Sequence, residues 1–194
     1  MDESVRKAMA KWPNVPALYG WLRLDATGRW YLKGEVITHR GLIDFIGRNY
    51  QADGHGRWYF QNGPQRGYVT LDYTPWILHV DSDGALRTHT GARVGPGASA
   101  AIDDQGNLLI ATERGVGLVD PDALPVVIEW LVHGDGRCAD EEALAAVMAG
   151  DTDDPLFLEV DDRRLPVERI PRAEIPDRFG FISTPRPEDE DDAG

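Results

Sequence analysis

The chain has 194 residues, of which 42% are hydrophobic, and its 33 acidic and 20 basic residues give a formal net charge of −13. This length and apolar content predict a folded protein with a sizeable core, and no apolar run approaches the roughly 18 residues of a membrane-spanning helix. The acidic excess disfavours binding to nucleic acid and to anionic membranes, because both require clustered lysine and arginine.

The N-terminus and the cysteine content together predict a cytoplasmic protein. The first ten residues, MDESVRKAMA, contain neither the apolar stretch nor the cleavage pattern of an export signal. Cys138 is the only cysteine, which excludes an internal disulfide and a cysteine-based zinc site. No paired base stands beside it in the sequence, so we assign it no catalytic role.

A four-residue turn motif, Asp-x-x-Gly, recurs along the chain. It begins at Asp25, Asp53 and Asp81, with a spacing of 28 residues, and again at Asp103. The aspartate can accept hydrogen bonds from its own turn, and the glycine supplies the positive φ that closes it. Because alternating or aromatic strand-forming residues flank each motif, the sequence predicts four antiparallel hairpins.

Helices are predicted between and after these hairpins. In residues 38–50, Leu42, Phe45 and Ile46 share one helical face, and Thr38 is the expected N-cap. Asp140 and Gly150 bound a second helix as N-cap and C-terminal glycine.

The intervening segment 122–132 is left open between helix and strand, because a helix-starting Asp-Pro pair is followed by the β-branched run V-V-I. A last hairpin is expected to turn near Asp161 and Asp162.

These elements predict an α+β fold of antiparallel β-meander hairpins with a few packed helices, in two related β-rich halves. The first motif is assigned to residues 12–80. The second motif, with two helices and a terminal hairpin, is assigned to residues 81–182. Residues 183–194 are predicted to be a disordered acidic tail, because prolines precede five consecutive acids.

No motif in the sequence identifies catalytic chemistry. The five histidines, at positions 39, 55, 79, 89 and 133, do not occur as H-x-H, H-x-x-x-H or H-E-x-x-H, and G-x-S-x-G is absent. We therefore predict no catalytic residue, no metal ligand and no cofactor. The alternative is a metal-dependent or hydrolytic enzyme whose histidines and carboxylates are brought together by the fold.

The phrase G-R-W-Y occurs twice, placing Trp30 beside Tyr31 and Trp58 beside Tyr59. Neighbouring residues in a strand point to opposite faces, so one ring of each pair is expected to fill the core. The other ring would cover a helix, a neighbouring strand or a binding partner.

The preferred function is a non-catalytic binding or regulatory module for an unknown protein or small-molecule partner. The segment N-G-P-Q-R-G, followed by two tyrosines, concentrates hydrogen-bonding groups beside aromatic rings. The candidate binding surface consists of Asn62, Gln65, Arg66, Tyr68 and Tyr73. A plain hairpin turn is the alternative interpretation, and a homodimer built on exposed tryptophans is a third hypothesis for the chain.

Residues 20–80 also resemble a known type of protein. The pattern D-x-x-G-x-W-Y, then Gly34, Ile37, Leu42 and Phe45, then D-x-x-G-x-W-Y-F, is similar to uncharacterised proteobacterial families, each a domain of unknown function. The resemblance implies repeated β-rich motifs around helices and a role in signalling. It supplies no catalytic residues.

Overall fold

A computed structural model of the chain describes residues 1–12, 15–150 and 154–187. The chain forms two compact units: the first contains residues 1–75 and the described residues from 180 onward, and the second contains residues 76–179. The units therefore divide before the third hairpin, not after residue 80, and the C-terminal segment returns to the first unit. Positions 188–194 of the predicted acidic tail lie outside the described residues.

The first unit is a six-stranded mixed sheet with two helices. The helices are α1 (Glu3–Lys11) and α2 (Arg40–Arg48), and the strands are β1 (Leu18–Leu24), β2 (Trp30–Leu32), β3 (Glu35–Val36), β4 (Tyr50–Ala52), β5 (Trp58–Asn62) and β6 (Gln65–Leu71). The strand order is β3-β2-β1-β6-β5-β4. All neighbours are antiparallel except β1 and β6, whose parallel pairing joins two hairpin sets at the centre of the sheet.

The second unit is built on an eight-stranded mixed sheet. Its strands are β7 (Trp76–Val80), β8 (Leu86–Thr88), β9 (Pro96–Asp103), β10 (Leu108–Thr112), β11 (Gly115–Val119), β12 (Leu131–His133), β13 (Leu156–Val160) and β14 (Arg163–Ile170). The order is β12-β13-β14-β9-β10-β11-β7-β8, with β7 parallel to β11 and β9 parallel to β14. Its α-helices are α3 (Leu124–Ile128), α4 (Glu141–Ala149) and α5 (Ile175–Phe179).

The predicted α+β class and the β-rich halves are confirmed. The three parallel pairings were not anticipated, because they join strands that are far apart in the sequence and have no turn between them. None of the helices in the described ranges is long and apolar enough to cross a membrane.

The Asp-x-x-Gly motif forms the predicted turn at all four positions. In each turn the glycine N–H donates to the aspartate carbonyl, and one carboxylate oxygen accepts the N–H groups two and four residues later. The same backbone turn occurs twice more without aspartate at its first position, at Thr88–Ala92 and at His133–Arg137. The backbone pattern therefore persists when the first side chain changes.

The predicted helices are confirmed, with one correction at a cap. Helix α2 begins after His39, whose ring Nδ1 accepts the Leu42 N–H at 3.2 Å, so the N-cap is His39 and not Thr38. Helix α4 has the predicted cap at Asp140 and ends at Gly150 with φ of +88°. The ambiguous segment 122–132 contains both structures, since α3 is followed by β12.

The terminal hairpin β13–β14 also forms as predicted. Its register pairs Val160 with Arg163, so Asp161 and Asp162 are the two loop residues. Their φ angles are +47° and +58°, as in the hairpin turns that favour Asn, Asp and Gly.

The two G-R-W-Y copies differ in burial. Trp30 is 1% exposed while Tyr31 is half-buried, its ring 3.9 Å from the Arg23 guanidinium. In the second copy both Trp58 and Tyr59 are buried. In the second copy, therefore, neither ring is left for a partner, because both faces of β5 are covered, and Tyr59 packs against Tyr68 of the neighbouring strand β6.

Candidate binding groove

The first unit contains an apolar groove of about 410 Å³ between α2 and one face of the sheet. Its walls are apolar side chains from β1, β5, α2 and the segment that precedes α2: Leu18, Leu22, Ile37, Leu42, Ile46 and Phe60. Leu22 pairs with Val69 and Phe60 pairs with Gly67, and these two partners lie two residues apart on β6, so Leu22 and Phe60 lie on the same face of the sheet. On the helix, Leu42 and Ile46 lie four residues apart and share the face that meets the sheet.

A glycine on β6 keeps part of the groove open. Gly67 lines the cavity and pairs with Leu18 on one side and Phe60 on the other. A Cβ atom at this position would meet nothing closer than the Phe60 carbonyl oxygen, at 3.9 Å. The backbone therefore tolerates a side chain here, and any large side chain would project into the groove.

The groove has an exposed apolar side and a small set of polar groups. Trp21 and Leu32, which are 43% and 44% exposed, line it together with Lys33, Asn62 and Gln65. The Lys33 Nζ lies 3.6 Å from the centre of the Trp21 ring. An apolar cavity with a few polar groups is the usual composition of a small-molecule site.

The five residues of the sequence-predicted binding surface do not lie together. Asn62 and Gln65 line the groove, whereas Arg66 and Tyr68 line a second pocket of about 420 Å³ beside α1. Tyr73 is 7% exposed and lines neither of these pockets. Alternation along β6 separates Gln65 from Arg66, because adjacent strand residues point to opposite faces.

In the second pocket, Arg66 and Tyr68 both contact other residues of the protein. The Arg66 guanidinium lies 4.7 Å from the centre of the Tyr59 ring, and the Tyr68 hydroxyl donates to Asp53 Oδ2 at 3.1 Å. Burial raises the pKa of Tyr68. These contacts tie Arg66 and Tyr68 into the sheet, and their predicted role in binding stays a prediction.

The fold brings two histidines next to carboxylates. His133 Nδ1 lies 2.7 Å from Asp154 Oδ2, in a polar pocket of about 280 Å³ with Arg137 and Asp140, and His79 Nδ1 lies 3.7 Å from Asp120 Oδ2. Within the described ranges, no group of three or more His, Cys, Asp or Glu residues is placed to hold a metal ion. The enzyme hypothesis stays a prediction, and His133 with Asp154 is its best-placed pair.

The sequence contained weak signals for the features that were missed. Trp21 and Lys33 belong to no motif, but Lys33–Gly34 stands between strand-forming residues as a two-residue loop. His133 precedes Gly136 with the spacing of the repeated turn, so an alignment of turns that allowed other first residues would have found it.

Comparison with known proteins places the chain among uncharacterised families. Residues 1–186 match a family described as "Protein of unknown function (DUF2946)". No curated protein matches the chain. Its structure is similar to a DUF1285 family protein from Silicibacter pomeroyi DSS-3, with a TM-score of 0.55 and 14% sequence identity over 80% of this chain and 84% of that chain.

At this identity the structural similarity shows a shared fold and carries no functional residue across. The expected resemblance to a family of unknown function is confirmed by the match over most of the chain. The chain therefore belongs to the family described as "Protein of unknown function (DUF2946)".

Proposed function

We propose that this protein is a cytoplasmic, non-catalytic binding module and that the groove in its first unit binds a small apolar molecule. The observation that carries the proposal is the open volume of about 410 Å³ above Gly67, enclosed by apolar side chains of α2 and the sheet. Ligand pockets commonly have about 300–1,000 Å³ and a mostly apolar lining.

The glycine at position 67 adds to this support. Glycine inside a strand is unfavourable by about 0.5–1 kcal/mol relative to alanine, because it loses more conformational freedom on folding. Its φ is not in the positive region, and a Cβ would make an ordinary contact with the Phe60 carbonyl. The contact with the Phe60 carbonyl therefore does not require glycine. An interior glycine often marks a bulge or the close approach of a ligand or another backbone, and Gly67 lies both beside the register shift between β1 and β6 and in the groove.

The experiment fills the groove with a phenylalanine side chain at position 67. Full-length protein is titrated with N-phenylnaphthylamine, a neutral apolar dye that fluoresces when it leaves water, and compared with Gly67→Phe. The matched control is Gly54→Phe, since Gly54 is exposed, has no positive φ and no atom within 4 Å of its Cβ position. We expect the dye to bind the wild type and Gly54→Phe equally, and Gly67→Phe at least about tenfold more weakly.

Equal binding to all three proteins would contradict the proposal, because the dye would then occupy another site. Thermal unfolding separates blocked binding from misfolding: Gly67→Phe should retain a cooperative transition at a temperature no lower than that of Gly54→Phe. The reason is that Gly67→Phe introduces a strand-forming aromatic residue inside β6, whereas Gly54→Phe introduces the same residue at an exposed turn.

A regulatory role is the second part of the proposal, and its support is the resemblance to families suspected of signalling. A module without catalysis would act through a partner whose affinity changes when the groove is filled. Cytoplasmic location is supported by the single, exposed Cys138, since secreted domains commonly carry disulfides. Localisation of a tagged chain in fractionated cells tests it.

The enzyme alternative is favoured by one observation, the 2.7 Å contact between His133 and Asp154. A carboxylate on Nδ1 orients a histidine as a general base. Metal analysis of the purified protein tests the metal-dependent version: a stoichiometric metal that is lost in His133→Gln would favour the enzyme over the binding module.

The homodimer hypothesis is supported by two exposed tryptophans, Trp12 and Trp21, which are 51% and 43% exposed and could form an interface. Sedimentation of the wild type over a range of concentrations tests for a dimer, and Trp12→Ala and Trp21→Ala locate its interface.

A further inference from the structure

The charge lining the groove is opposite to the charge of the whole chain. The chain has 33 acidic and 20 basic residues, yet Lys33 is the one charged residue among the described residues that line the groove. Apolar walls lower the local dielectric constant and strengthen the attraction between a cation and an anion. An apolar groove with one cation therefore suits a ligand with a single negative charge better than a cationic one.

Lys33 occupies a backbone position that lysine rarely takes. Lys33 and Gly34 form the two-residue loop between β2 and β3, with φ angles of +51° and +87°. Hairpin loops with two positive φ angles strongly favour Asn, Asp and Gly. Side chains held in disfavoured backbone conformations concentrate at functional sites, so the lysine at this position indicates a use for its ammonium group.

Trp21 holds this ammonium at the groove without neutralising it. The Lys33 N–H donates to the Trp21 carbonyl at 2.7 Å, and the Nζ lies 3.6 Å from the centre of the Trp21 ring. In the part of the chain that the structure describes, no carboxylate forms an ion pair with Lys33. An ammonium has three N–H donors and the ring face takes at most part of their capacity, so donors remain for a ligand.

We propose that the groove ligand is an apolar carboxylate whose tail lies against the leucine and isoleucine walls and whose head group binds the Lys33 ammonium. This inference rests on the proposed function of the groove. A monoanion fits better than a phosphate, because a dianion is usually bound by several cations or by a bidentate arginine. The Asn62 and Gln65 amides also line the groove and supply neutral N–H donors.

The test compares three head groups on one tail. Octanoate, octanol and octylamine compete with bound N-phenylnaphthylamine on the full-length wild type, on Lys33→Asn and on Lys7→Gln. Asparagine suits a loop residue with positive φ, so Lys33→Asn keeps the turn. Lys7→Gln removes the same charge from the exposed face of α1, where Lys7 is paired with Glu3 at 2.8 Å.

We expect octanoate to displace the dye best from the wild type and octylamine to displace it least. Octanol is the more apolar competitor, so a groove without charge recognition would favour octanol over octanoate. In Lys33→Asn, octanoate should bind about fivefold more weakly, with octanol changed less than about twofold. Lys7→Gln should leave both unchanged, and added salt should reduce the octanoate preference in the wild type.

The inference is overturned if octanol outcompetes octanoate on the wild type, or if Lys33→Asn weakens both competitors equally. The proposed function survives that result as long as Gly67→Phe still binds the dye at least about tenfold more weakly than the wild type does. Absence of dye binding to the wild type overturns the proposed function and this inference together.

Discussion

Asp53 and Arg57 form a buried ion pair inside the second copy of the repeated turn. Asp53 Oδ2 lies 2.8 Å from Arg57 Nε, and the two side chains are 9% and 10% exposed. The equivalent pair in the first copy, Asp25 and Arg29, has the same geometry at 2.9 Å, but the Arg29 side chain is 63% exposed. The two copies share their hydrogen bonds and differ in the solvent exposure of the arginine side chain.

This difference predicts unequal costs for the same substitution. Asp53→Asn should lower the free energy of unfolding by about 4 kcal/mol, because it removes the charge of the carboxylate in a buried ion pair. Asp25→Asn should cost about 2 kcal/mol, since Arg29 remains hydrated. Urea denaturation followed by circular dichroism measures both, and equal losses would show that burial of the arginine does not matter.

Acid should weaken the fold through Asp25. Burial alone would raise the pKa of this carboxyl, but hydrogen bonds from the Arg29 and Thr27 N–H groups, the Thr27 hydroxyl and the Arg29 guanidinium outweigh it and lower the pKa from 3.8 to about 2. Because the folded-state pKa is below the unfolded value, the stabilisation is complete above about pH 4 and is lost as the pH falls towards about 2.

The measurement is the free energy of unfolding of the wild type and of Asp25→Asn at several pH values. The difference between them should be about 2 kcal/mol near pH 6 and should shrink steadily below about pH 4. A difference that is constant down to about pH 2 would contradict the assignment, because the charged carboxylate would then contribute nothing specific.

Two glycines at the same turn position should differ in their tolerance of alanine. Gly56 and Gly84 have φ of +77° and +79°, but a Cβ at Gly56 would lie 2.4 Å from the Gly180 carbonyl oxygen, whereas no atom lies within 4 Å at Gly84. Gly84→Ala should therefore cost about 1 kcal/mol of strain, and Gly56→Ala about 3 kcal/mol from strain and overpacking. Chemical denaturation of the two variants checks this, and similar losses would refute the proposed clash.

A third glycine makes room for a leucine in the second unit. A Cβ at Gly117 would lie 2.5–2.9 Å from the branched carbons of Leu78. Gly117→Ala should cost about 2 kcal/mol, and this cost should fall by at least about 1 kcal/mol when Leu78→Ala is already present. A double-mutant cycle in urea measures the coupling, and strictly additive losses would show that the two positions do not interact.

The secondary structure that could be predicted from the sequence is the part that is stabilised by interactions between residues close together in the chain. The aspartate of each repeated turn accepts hydrogen bonds from residues two and four positions later, so the motif carries its own stabilisation. Helix α4 is similar, because Asp140 and Gly150 satisfy its two ends within a few residues. The prediction of Thr38 as the cap of α2 is wrong by one residue, because the ring Nδ1 of His39 accepts the backbone N–H of Leu42 in the way that a threonine hydroxyl would.

The candidate site was only partly predictable. Asn62 and Gln65 were identified from the density of polar groups around one turn, and both line the groove. Arg66 was grouped with them as a sequence neighbour, but it points to the opposite face of β6. Trp21 and Lys33 were missed because their contact joins a strand to a loop twelve positions later, through a backbone conformation that lysine seldom adopts.

By itself, the sequence determined the hairpins, the main helices and the α+β class, since turn chemistry, capping and side-chain alternation act over a few residues. Only the tertiary structure decided the parallel pairings of β1 with β6, β7 with β11 and β9 with β14, the return of the C-terminal segment to the first unit and the groove above Gly67. These features depend on contacts between residues far apart in the chain, and a glycine that opens a cavity is indistinguishable in sequence from one that closes a turn.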